Sequence, residues 1–326
     1  MGAAMPSRLL RASISLAAAL LAASAFAQGY PSKAVRVIVP FPPGGSADAA
    51  SRSMAEKLAA LWGQPVVLEH KPGAGTTIAA AYVAASPPDA YTILFCGAIS
   101  HAASANLYPK LSYDAVRSFA AIGTISLAPF ILVVSQSTKA GTVRELVELA
   151  KARPGALNYA SSGNGASPHL AAEMFARAAD IRIVHVPFKG MAPAVVALVS
   201  GEVDLAFADV AVMPQVRSGR LRALAVTTAR ASPLVPGVPT LAEAGVAGMD
   251  IPSVAGFIAP AGTPRDTVAF INASMGKALA ASDLRERLIG LGLEPYASTP
   301  EEFGSFLAAE VRRYAQVIRD AGIRVD

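Results

Sequence analysis

The sequence predicts an α/β protein built from two lobes. Patterns typical of strands and helices alternate through most of the chain, which favours helices layered on sheets of parallel strands. The chain has 326 residues, enough for about two domains with ample cores. Two distant stretches each run from a short apolar strand through a Gly- and Ser-rich loop into a helix, so one such loop could face the other across a cleft.

The first 27 residues have the pattern of a secretory signal peptide. Arg8 and Arg11 precede a short apolar run at 14–23, and Ala25-Phe26-Ala27 fits the small-x-small cleavage pattern. Cleavage near Ala27 would remove two arginines and lower the formal charge from +5 to +3. The alternative is a retained membrane anchor, although the apolar run is short for a bilayer span.

Charge, cysteine and histidine content argue against several classes of protein. The basic surplus is small and scattered, which gives little support to nucleic-acid binding. Cys96 is the single cysteine, so no internal disulfide or Cys-based metal cluster is expected, and core packing is its expected role. No two of the four histidines have metal-ligand spacing on a helix. We therefore expect no metal and no cofactor.

The first block of the chain predicts three strands, each followed by a helix. Residues 35–39 form the first strand, and a helix follows with apolar residues at four-residue spacing: Ala50, Met54, Leu58 and Trp62. Further strands are predicted at 66–69 and 92–96. The loops at 40–48 and 70–77 are rich in Pro, Gly, Ser and Thr, as expected for turns at the ends of buried strands.

The loop at 161–167 is the centre of the second block. A strand at 157–160 leads into it, and Pro168 suits the first position of the following helix, with Ser167 as its N-cap. Glycines, hydroxyls and the positive end of a helix dipole together suit an anion such as a carboxylate. The alternative is an ordinary tight strand-to-helix turn. Neither this loop nor the one at 40–48 matches a nucleotide-binding fingerprint.

Similar patterns predict the remaining elements. The other strands are expected at 130–134, 183–186, 205–207, 221–226 and 256–259. A Thr followed three residues later by Glu predicts helix starts at Thr142 and Thr240. Thr followed by Pro predicts the starts of two long helices, at Thr263-Pro264 and Thr299-Pro300.

The simplest arrangement of these blocks is two lobes joined twice. We expect residues 28–126 together with 228–326 to form lobe 1, and residues 127–227 to form lobe 2. Two crossovers, near 126–129 and 227–230, would then limit motion to opening and closing about a hinge. The strand ends of both lobes would meet at a common cleft.

Six short motifs follow one another along the chain. They are Pro40-Phe41-Pro42-Pro43-Gly44-Gly45 with Asp48, Pro72-Gly73-Ala74-Gly75, Tyr159-Ala160-Ser161-Ser162-Gly163-Asn164-Gly165 with Pro168-His169-Leu170, Val186-Pro187-Phe188-Lys189-Gly190, Leu221-Arg222-Ala223-Leu224-Ala225-Val226, and Pro239-Thr240 with Glu243-Ala244-Gly245. Each motif alone is weak, but the ordered set is specific. It resembles the Bug receptors, which are the periplasmic solute-binding subunits of tripartite tricarboxylate transporters.

The resemblance implies a two-lobed type II periplasmic-binding-protein fold without catalysis. It implies a small carboxylated ligand held in the cleft, largely by backbone groups and bridging waters, and a periplasmic location. Its implied partners are two integral membrane subunits of a cation-coupled importer, and a monomer is the expected state.

The resemblance also implies which residues line the cleft. Carried over by position, they are Pro43, Gly44, Gly45, Ser46, Asp48, Gly75, Thr76, His101, Ser161, Ser162, Gly163, Asn164, Gly165, Ser167, His169, Lys189 and Asp209. The chain departs from the family pattern at Phe207-Ala208-Asp209, where Phe-Asp-Asn is frequent, and at 253–257, which is usually richer in aromatic residues. The first departure leaves the identity of the ligand open.

Several of these residues also have a purely structural interpretation. Asp48 lies where a carboxylate is favoured by the helix dipole, and Asp209 could cap the next helix. His101 and His169 could be satisfied core histidines. Lys189 could be a solvated loop charge or the counter-charge of a carboxylate.

Two other functions remain open from the sequence. A ligand sensor that docks on a periplasmic signalling domain would use the same cleft and the same closure. A hydrolase of carboxylate esters is the enzymatic alternative, although the chain has no GxSxG motif and no obvious base beside Ser162.

Overall fold

The computed structural model of the chain describes residues 29–108 and 110–323. The predicted signal peptide and its cleavage site lie outside the described residues. The strands are β1 Val35–Val39, β2 Val66–His70, β3 Thr92–Gly97, β4 Phe119–Ala128, β5 Ile131–Ser135, β6 Asn158–Ser161, β7 Val184–Pro187, β8 Leu205–Ala208, β9 Leu221–Val226, β10 Ser253–Pro260 and β11 Glu294–Pro295.

Helices alternate with these strands, as predicted. They are α1 Ser46–Trp62, α2 Thr77–Ala84, α3 Ala98–Leu107, α4 Val143–Ala152, α5 Ser167–Ala178, α6 Met191–Ser200, α7 Met213–Arg217, α8 Arg265–Ala280, α9 Ser282–Gly290 and α10 Pro300–Ala321, with single 3₁₀ turns at Ala74–Thr76 and Val210–Val212. Among the residues that the structure describes, none of these helices combines the length and apolar character that a membrane span requires.

The strands form two separate sheets. One has the order β11-β4-β10-β3-β1-β2 and the other β7-β6-β8-β5-β9. The alternation of elements and the two-sheet α/β architecture confirm the predicted fold class. The chain between residues 131 and 226 supplies every strand of the second sheet.

Both sheets are mixed, so the prediction of parallel sheets was wrong for some strands. In the first sheet β10 runs against β3 and β4, and in the second β5 runs against β8 and β9. The physical reason lies in the crossovers. β5 and β10 are the first strands after the chain passes from one sheet to the other, so each starts at the edge where the other strands end and must run away from it.

The two crossovers lie side by side and are joined by Thr227. Its N–H donates to the Phe130 carbonyl at 2.9 Å, and its hydroxyl oxygen accepts the Phe130 N–H at 3.0 Å. The same hydroxyl donates to the Ile251 carbonyl at 2.9 Å, while the Ile251 N–H donates to the Thr227 carbonyl at 2.8 Å. Thr227 is fully buried, so these bonds are shielded from water.

The last helix, α10, packs against both lobes. Phe303 and Leu307, near its start, belong to an apolar cluster of the first sheet. Tyr314 and Ile318, further along, belong to the core of the second sheet, and Asp320 forms an ion pair with Arg177 of α5. The C-terminal half of α10 therefore contacts lobe 2, although the sequence placed all of it in lobe 1.

Local differences from the predictions have simple causes. The single long helix expected after Thr263 is interrupted at Ala281, and Pro264, not Thr263, is its N-cap, because the Thr263 hydroxyl donates to the Pro260 carbonyl at 2.8 Å. The Thr240–Glu243 cap bonds are present, but the chain turns at 241–245 and forms no helix there. Strands β4 and β11 were not predicted. The predicted helix start at Thr299-Pro300 is confirmed, and Thr299 and Glu302 form a capping box there.

Candidate functional site

Loops from both sheets gather beside the crossovers. β1, β2 and β3 are parallel, so the loops that follow them leave from one edge of the first sheet. β6, β7 and β8 are also parallel, so their following loops leave from one edge of the second. The crossovers start and end at these same two edges. Strand ends at such a junction are where ligands bind in open α/β sheets.

The loop after β1 presents backbone groups rather than charged side chains. Pro43, Gly44, Gly45 and Ser46 are all exposed. Gly44 has a φ of +90°, and Gly45 is the extended N-cap of α1 with no side-chain cap bond. The first N–H groups of α1 are thus left for another acceptor, which suits an anion.

Asp48 lies behind this loop and holds its shape. It is only 6% exposed, and one carboxylate oxygen accepts the Gly44 N–H at 3.0 Å. The other accepts from His70 Nε2 at 2.8 Å and from Arg52 Nη2 at 3.0 Å. The Gly44 bond, followed by His70 and Arg52, lowers the pKa of Asp48 below its usual range. Asp48 is therefore ionised and already engaged.

The loop after β2 has an unusual backbone. Four consecutive residues have positive φ: Gly73 at +124°, Ala74 at +44°, Gly75 at +59° and Thr76 at +82°. Such angles are costly for Ala and for a β-branched residue such as Thr. Within the turn the Thr76 N–H donates to the Gly73 carbonyl at 3.0 Å, whereas the Ala74 and Gly75 N–H groups have no backbone acceptor among the described residues and could serve an anion.

Contacts from helix α3 hold this loop in place. The Ser104 hydroxyl donates to the Gly75 carbonyl, and the Thr77 hydroxyl donates to the Ala74 carbonyl at 2.8 Å. A Cβ on Gly75 would lie 2.9 Å from the Tyr108 ring and 3.0 Å from Ser104 Oγ. Gly75 is therefore required both for its φ and for the close approach of α3.

His101 lies in the core of lobe 1 and not at the loop surface. It is 2% exposed, its Nε2 donates to the Ala115 carbonyl at 2.8 Å, and its ring packs against Tyr113 and Phe119. Burial lowers its pKa, so the ring is neutral. Because its side chain is buried, His101 does not belong to the ligand-contact set. The prediction failed because a sequence does not show which face of a short helix is turned inward.

The loop after β6 is shaped by two glycines and a buried serine. Gly163 has a φ of +133° and Gly165 of +71°. Ala166 is the N-cap of α5 and Ser167 its first residue, so the predicted Ser167 cap was wrong by one position. The Ser161 hydroxyl is fully buried and lies 3.1 Å from both the N and the O of Gly163.

Only part of this loop is open to a ligand. Asn164 is exposed, and Ser162, Gly163, Gly165 and Ser167 are half-buried. Within residues 29–108 and 110–323, the backbone N–H groups of Ser162, Asn164, Ser167 and His169 have no acceptor. Those of Asn164 and Ser167, beside the positive end of α5, are therefore two of the free donors of the loop.

A pair of stacked histidines lies behind the loop. The rings of His169 and His185 are 3.8 Å apart between centroids and 18° from parallel. Burial and the neighbouring His185 lower the pKa of His169 to about 4, and burial lowers that of His185 to about 4. His185 was not among the predicted site residues. The β6–β7 register sets His185 opposite Tyr159, and this strand pairing is what would have placed it behind the loop.

Lys189 and Asp209 follow β7 and β8 at the same edge. Lys189 is exposed and, among the described residues, has no carboxylate within 4 Å. Asp209 is half-buried, and one of its oxygens accepts the Ala211 N–H at 3.0 Å, which caps the 3₁₀ turn. Burial raises the pKa of Asp209. The predicted capping alternative for Asp209 is thus realised, with one carboxylate oxygen left over.

A serine–histidine pair exists in this site, but it is closed to substrates. Ser161 Oγ lies 2.6 Å from His185 Nε2, as in a nucleophile and its base. However, Ser161 has no exposed surface, and its hydroxyl also contacts Gly163. An ester carbonyl cannot reach this oxygen in the observed conformation, so the geometry does not favour the hydrolase alternative.

A cavity of about 470 Å³ lies away from these loops. It is bounded by the chain on either side of the crossovers and by the start of α10, including Leu127, Thr228, Pro252, Glu294 and Phe303. None of the residues predicted for the ligand site lines it.

Comparisons with known proteins give consistent results. The family model described as "Tripartite tricarboxylate transporter family receptor" matches residues 50–323. The chain is 34% identical to Protein BugT of Bordetella pertussis (strain Tohama I) over 314 residues, covering 96% of each chain.

Solved structures resemble the whole described fold. The structure of R. palustris Rpa4515 with adipate has a TM-score of 0.80 and 34% identity, covering 90% of this chain and 99% of that one. MatC from Rhodopseudomonas palustris with bound malate has a TM-score of 0.77 and 32% identity, covering 89% and 100%.

Proposed function

Because this chain belongs to the tripartite tricarboxylate transporter receptor family, whose members are periplasmic solute-binding proteins, we propose that it binds a small carboxylate between its lobes and delivers it to a cation-coupled importer. The observation that carries this proposal is the pair of loop systems at facing sheet edges. Both offer backbone N–H groups at helix starts that have no acceptor among the described residues, and the serine that pairs with a histidine there, Ser161, is fully buried.

The first carboxylate of the ligand is proposed to bind backbone donors. Gly45 and Ser46 at the start of α1, and Asn164 and Ser167 at the start of α5, supply N–H groups from opposite lobes. Gly75 adds a donor from the left-handed turn, in which the Thr76 N–H already donates to the Gly73 carbonyl at 3.0 Å. A carboxylate accepts up to about four hydrogen bonds, so a part of this set is enough to satisfy it.

The proposed ligand class is a small dicarboxylate. The relatives with solved structures hold adipate and malate, which share two carboxylates on a short chain. In this chain Lys189 is the exposed cation at the loop edge, so it could pair with the second carboxylate. The spare oxygen of Asp209 could accept a hydrogen bond from a hydroxyl such as that of malate.

Binding is proposed to close the two lobes about the crossovers. A ligand that contacts both lobes binds the closed form better than the open form, and it shifts the equilibrium by that difference. The closed surface would then be recognised by the membrane subunits. We further propose that the mature receptor is a periplasmic monomer that begins after cleavage near Ala27.

A thermal-melting panel tests this proposal. The protein from Tyr30 to Asp326, unfolded and refolded to remove carried ligand, is melted with adipate, with malate and with the corresponding diamides. A ligand at 100 times its Kd stabilises the folded state by about 2.7 kcal/mol, so the midpoint should rise by a few degrees.

The diamides are the matched controls, because they keep the shape and lose the charge. Midpoint shifts with the acids alone support the proposal. A shift with a diamide but not with its acid would contradict carboxylate recognition. Uptake of the bound acid by cells that carry the receptor, but not by cells that lack it, would separate transport from sensing.

A further inference from the structure

Three aromatic rings are stacked behind the loop at 161–166. His185 lies between Tyr159 and His169, with centroid distances of 4.8 Å and 3.8 Å and interplanar angles of 19° and 18°. The parallel register of β6 and β7 sets Tyr159 opposite His185, and the first turn of α5 brings His169 to the other face. Three different elements therefore meet at this stack.

His169 binds the loop at Gly165. Its Nδ1 accepts the Gly165 N–H at 3.0 Å, so this nitrogen carries no proton. The proton of the neutral ring is then on Nε2, which lies 3.9 Å from a Glu173 carboxylate oxygen. Glu173 in turn accepts the Tyr159 hydroxyl proton in a hydrogen bond. The Gly165 bond and the stacking on His185 thus set the ring orientation.

His185 supports the loop at Gly163 through Ser161. Its Nε2 lies 2.6 Å from Ser161 Oγ, and the same oxygen accepts the Gly163 N–H at 3.1 Å. The two bonds place the hydroxyl beneath the turn at Gly163. The loop is therefore fixed at two points, Gly163 and Gly165, with exposed Asn164 between them.

We infer that His169 and His185 are paired positioning residues for the proposed carboxylate loop, and that neither contacts the ligand. This inference rests on the proposed function only in that it takes the ligand to be a carboxylate. Its consequence is a division of the loop: the Gly163 and Gly165 N–H groups are used internally, and the Asn164 and Ser167 N–H groups are left for the ligand.

Substitution of each histidine by Asn or Gln can separate the effect of the hydrogen bond from the effect of side-chain size. Asn places Oδ1 where His places Nδ1, and Gln places its terminal amide where His places Nε2. His169→Asn should therefore keep the Gly165 bond and His169→Gln should lose it. At position 185 the order is reversed: His185→Gln should keep the contact with Ser161, and His185→Asn should lose it.

The first measurement needs no ligand. Amide hydrogen exchange of Gly165 should accelerate about tenfold in His169→Gln and stay within about threefold of wild type in His169→Asn. Gly163 should show the same contrast between His185→Asn and His185→Gln. His101→Gln, at a buried histidine outside the loop, should leave both amides unchanged.

The second measurement is adipate affinity by calorimetry. We expect Kd to rise about tenfold in the two variants that lose a bond, and to change less than threefold in the two that keep it. Equal behaviour of Asn and Gln at either position, in exchange and affinity, would overturn the inference. If wild type does not bind adipate but the exchange contrast holds, the positioning role stands and the proposed ligand is wrong.

Discussion

Single side chains hold the loops of this site from behind. Asp48 binds Gly44, His169 binds Gly165, and His185 binds Ser161, each through a buried or half-buried polar group. Asp48 and His169, which the sequence marked as ligand contacts, therefore lie one layer behind the loop backbone that they bind. Backbone recognition leaves few side-chain signals, because any residue supplies an N–H.

At the residue scale we predict an acid-side loss of stability. The folded pKa of His169 and of His185, about 4 for each, is below the unfolded value of about 6.5. The unfolded state therefore binds more protons between these values, and the free energy of unfolding falls as pH decreases from about 6.5 to about 4. Tyr159 on β6 and Glu173 on α5 are the titratable groups that face the pair.

After discounting for partial exposure, the two histidines should contribute roughly 3 kcal/mol to this loss. Urea denaturation at pH 7 and pH 4.5 measures it. The control is the double variant His169→Asn, His185→Gln, which keeps the bonds and removes both titrations. An identical pH dependence in that variant would show that other groups are responsible.

At the scale of elements, the left-handed turn 73–76 shows how packing imposes a costly backbone. α3 supplies Ser104 and Tyr108, which fit only a glycine at position 75. The sequence signal was the Gly73-Ala74-Gly75 motif, which predicts a turn. The positive φ values of Ala74 and Thr76 were invisible in the sequence, because they depend on α3, which lies about 30 residues further along the chain.

We predict that Gly75→Ala lowers both stability and affinity. The positive φ costs about 1–2 kcal/mol for Ala, and the contact of 2.9 Å with Tyr108 adds about 1–2 kcal/mol. Adipate affinity should fall by at least tenfold, because the donor turn is displaced. Denaturant unfolding and calorimetry measure the two effects.

Gly155→Ala is the matched control for this variant. Gly155 has a φ of +79°, but a Cβ added there would meet nothing within 4 Å, so only the backbone cost of about 1–2 kcal/mol applies. Its affinity should equal that of wild type. If the two variants lose the same stability and neither loses affinity, the turn has no role in binding.

At the scale of the whole molecule, two features join the lobes. The crossovers are bound to each other through Thr227, and α10 packs on both lobes. Val210 of lobe 2 also lies against Gly292 near β11, where an added Cβ would come within 2.6 Å. The proposed hinge closure would therefore turn on a buried hydrogen-bonded junction and not on a free linker.

We predict that Thr227→Val destabilises the junction. The substitution keeps the volume but leaves the buried Phe130 N–H and Ile251 carbonyl without their partner, which should cost about 2–4 kcal/mol. Chemical denaturation measures the loss. Thr228→Val is the control, since its hydroxyl bonds only to the nearby Arg230 carbonyl, and should cost about 1 kcal/mol. Equal losses would show that Thr227 is not special.

The sequence by itself determined the order of most elements, without β4 and β11, together with the two-lobed α/β class and the positions of the Gly-rich loops. These follow from local rules: apolar periodicity, turn residues and caps such as Thr299–Glu302 act over a few residues. The motif order also identified the family, because several short patterns recur at matching places along the chain.

Only the tertiary structure decided which loop groups are free and which are used internally. His101 turned inward and His185 joined His169, because strand register and helix packing place residues that are far apart in sequence. The reversed strands β5 and β10, and the contact of α10 with both lobes, likewise depend on where the chain crosses between sheets. Long-range packing, which no local pattern encodes, therefore set the geometry of the site.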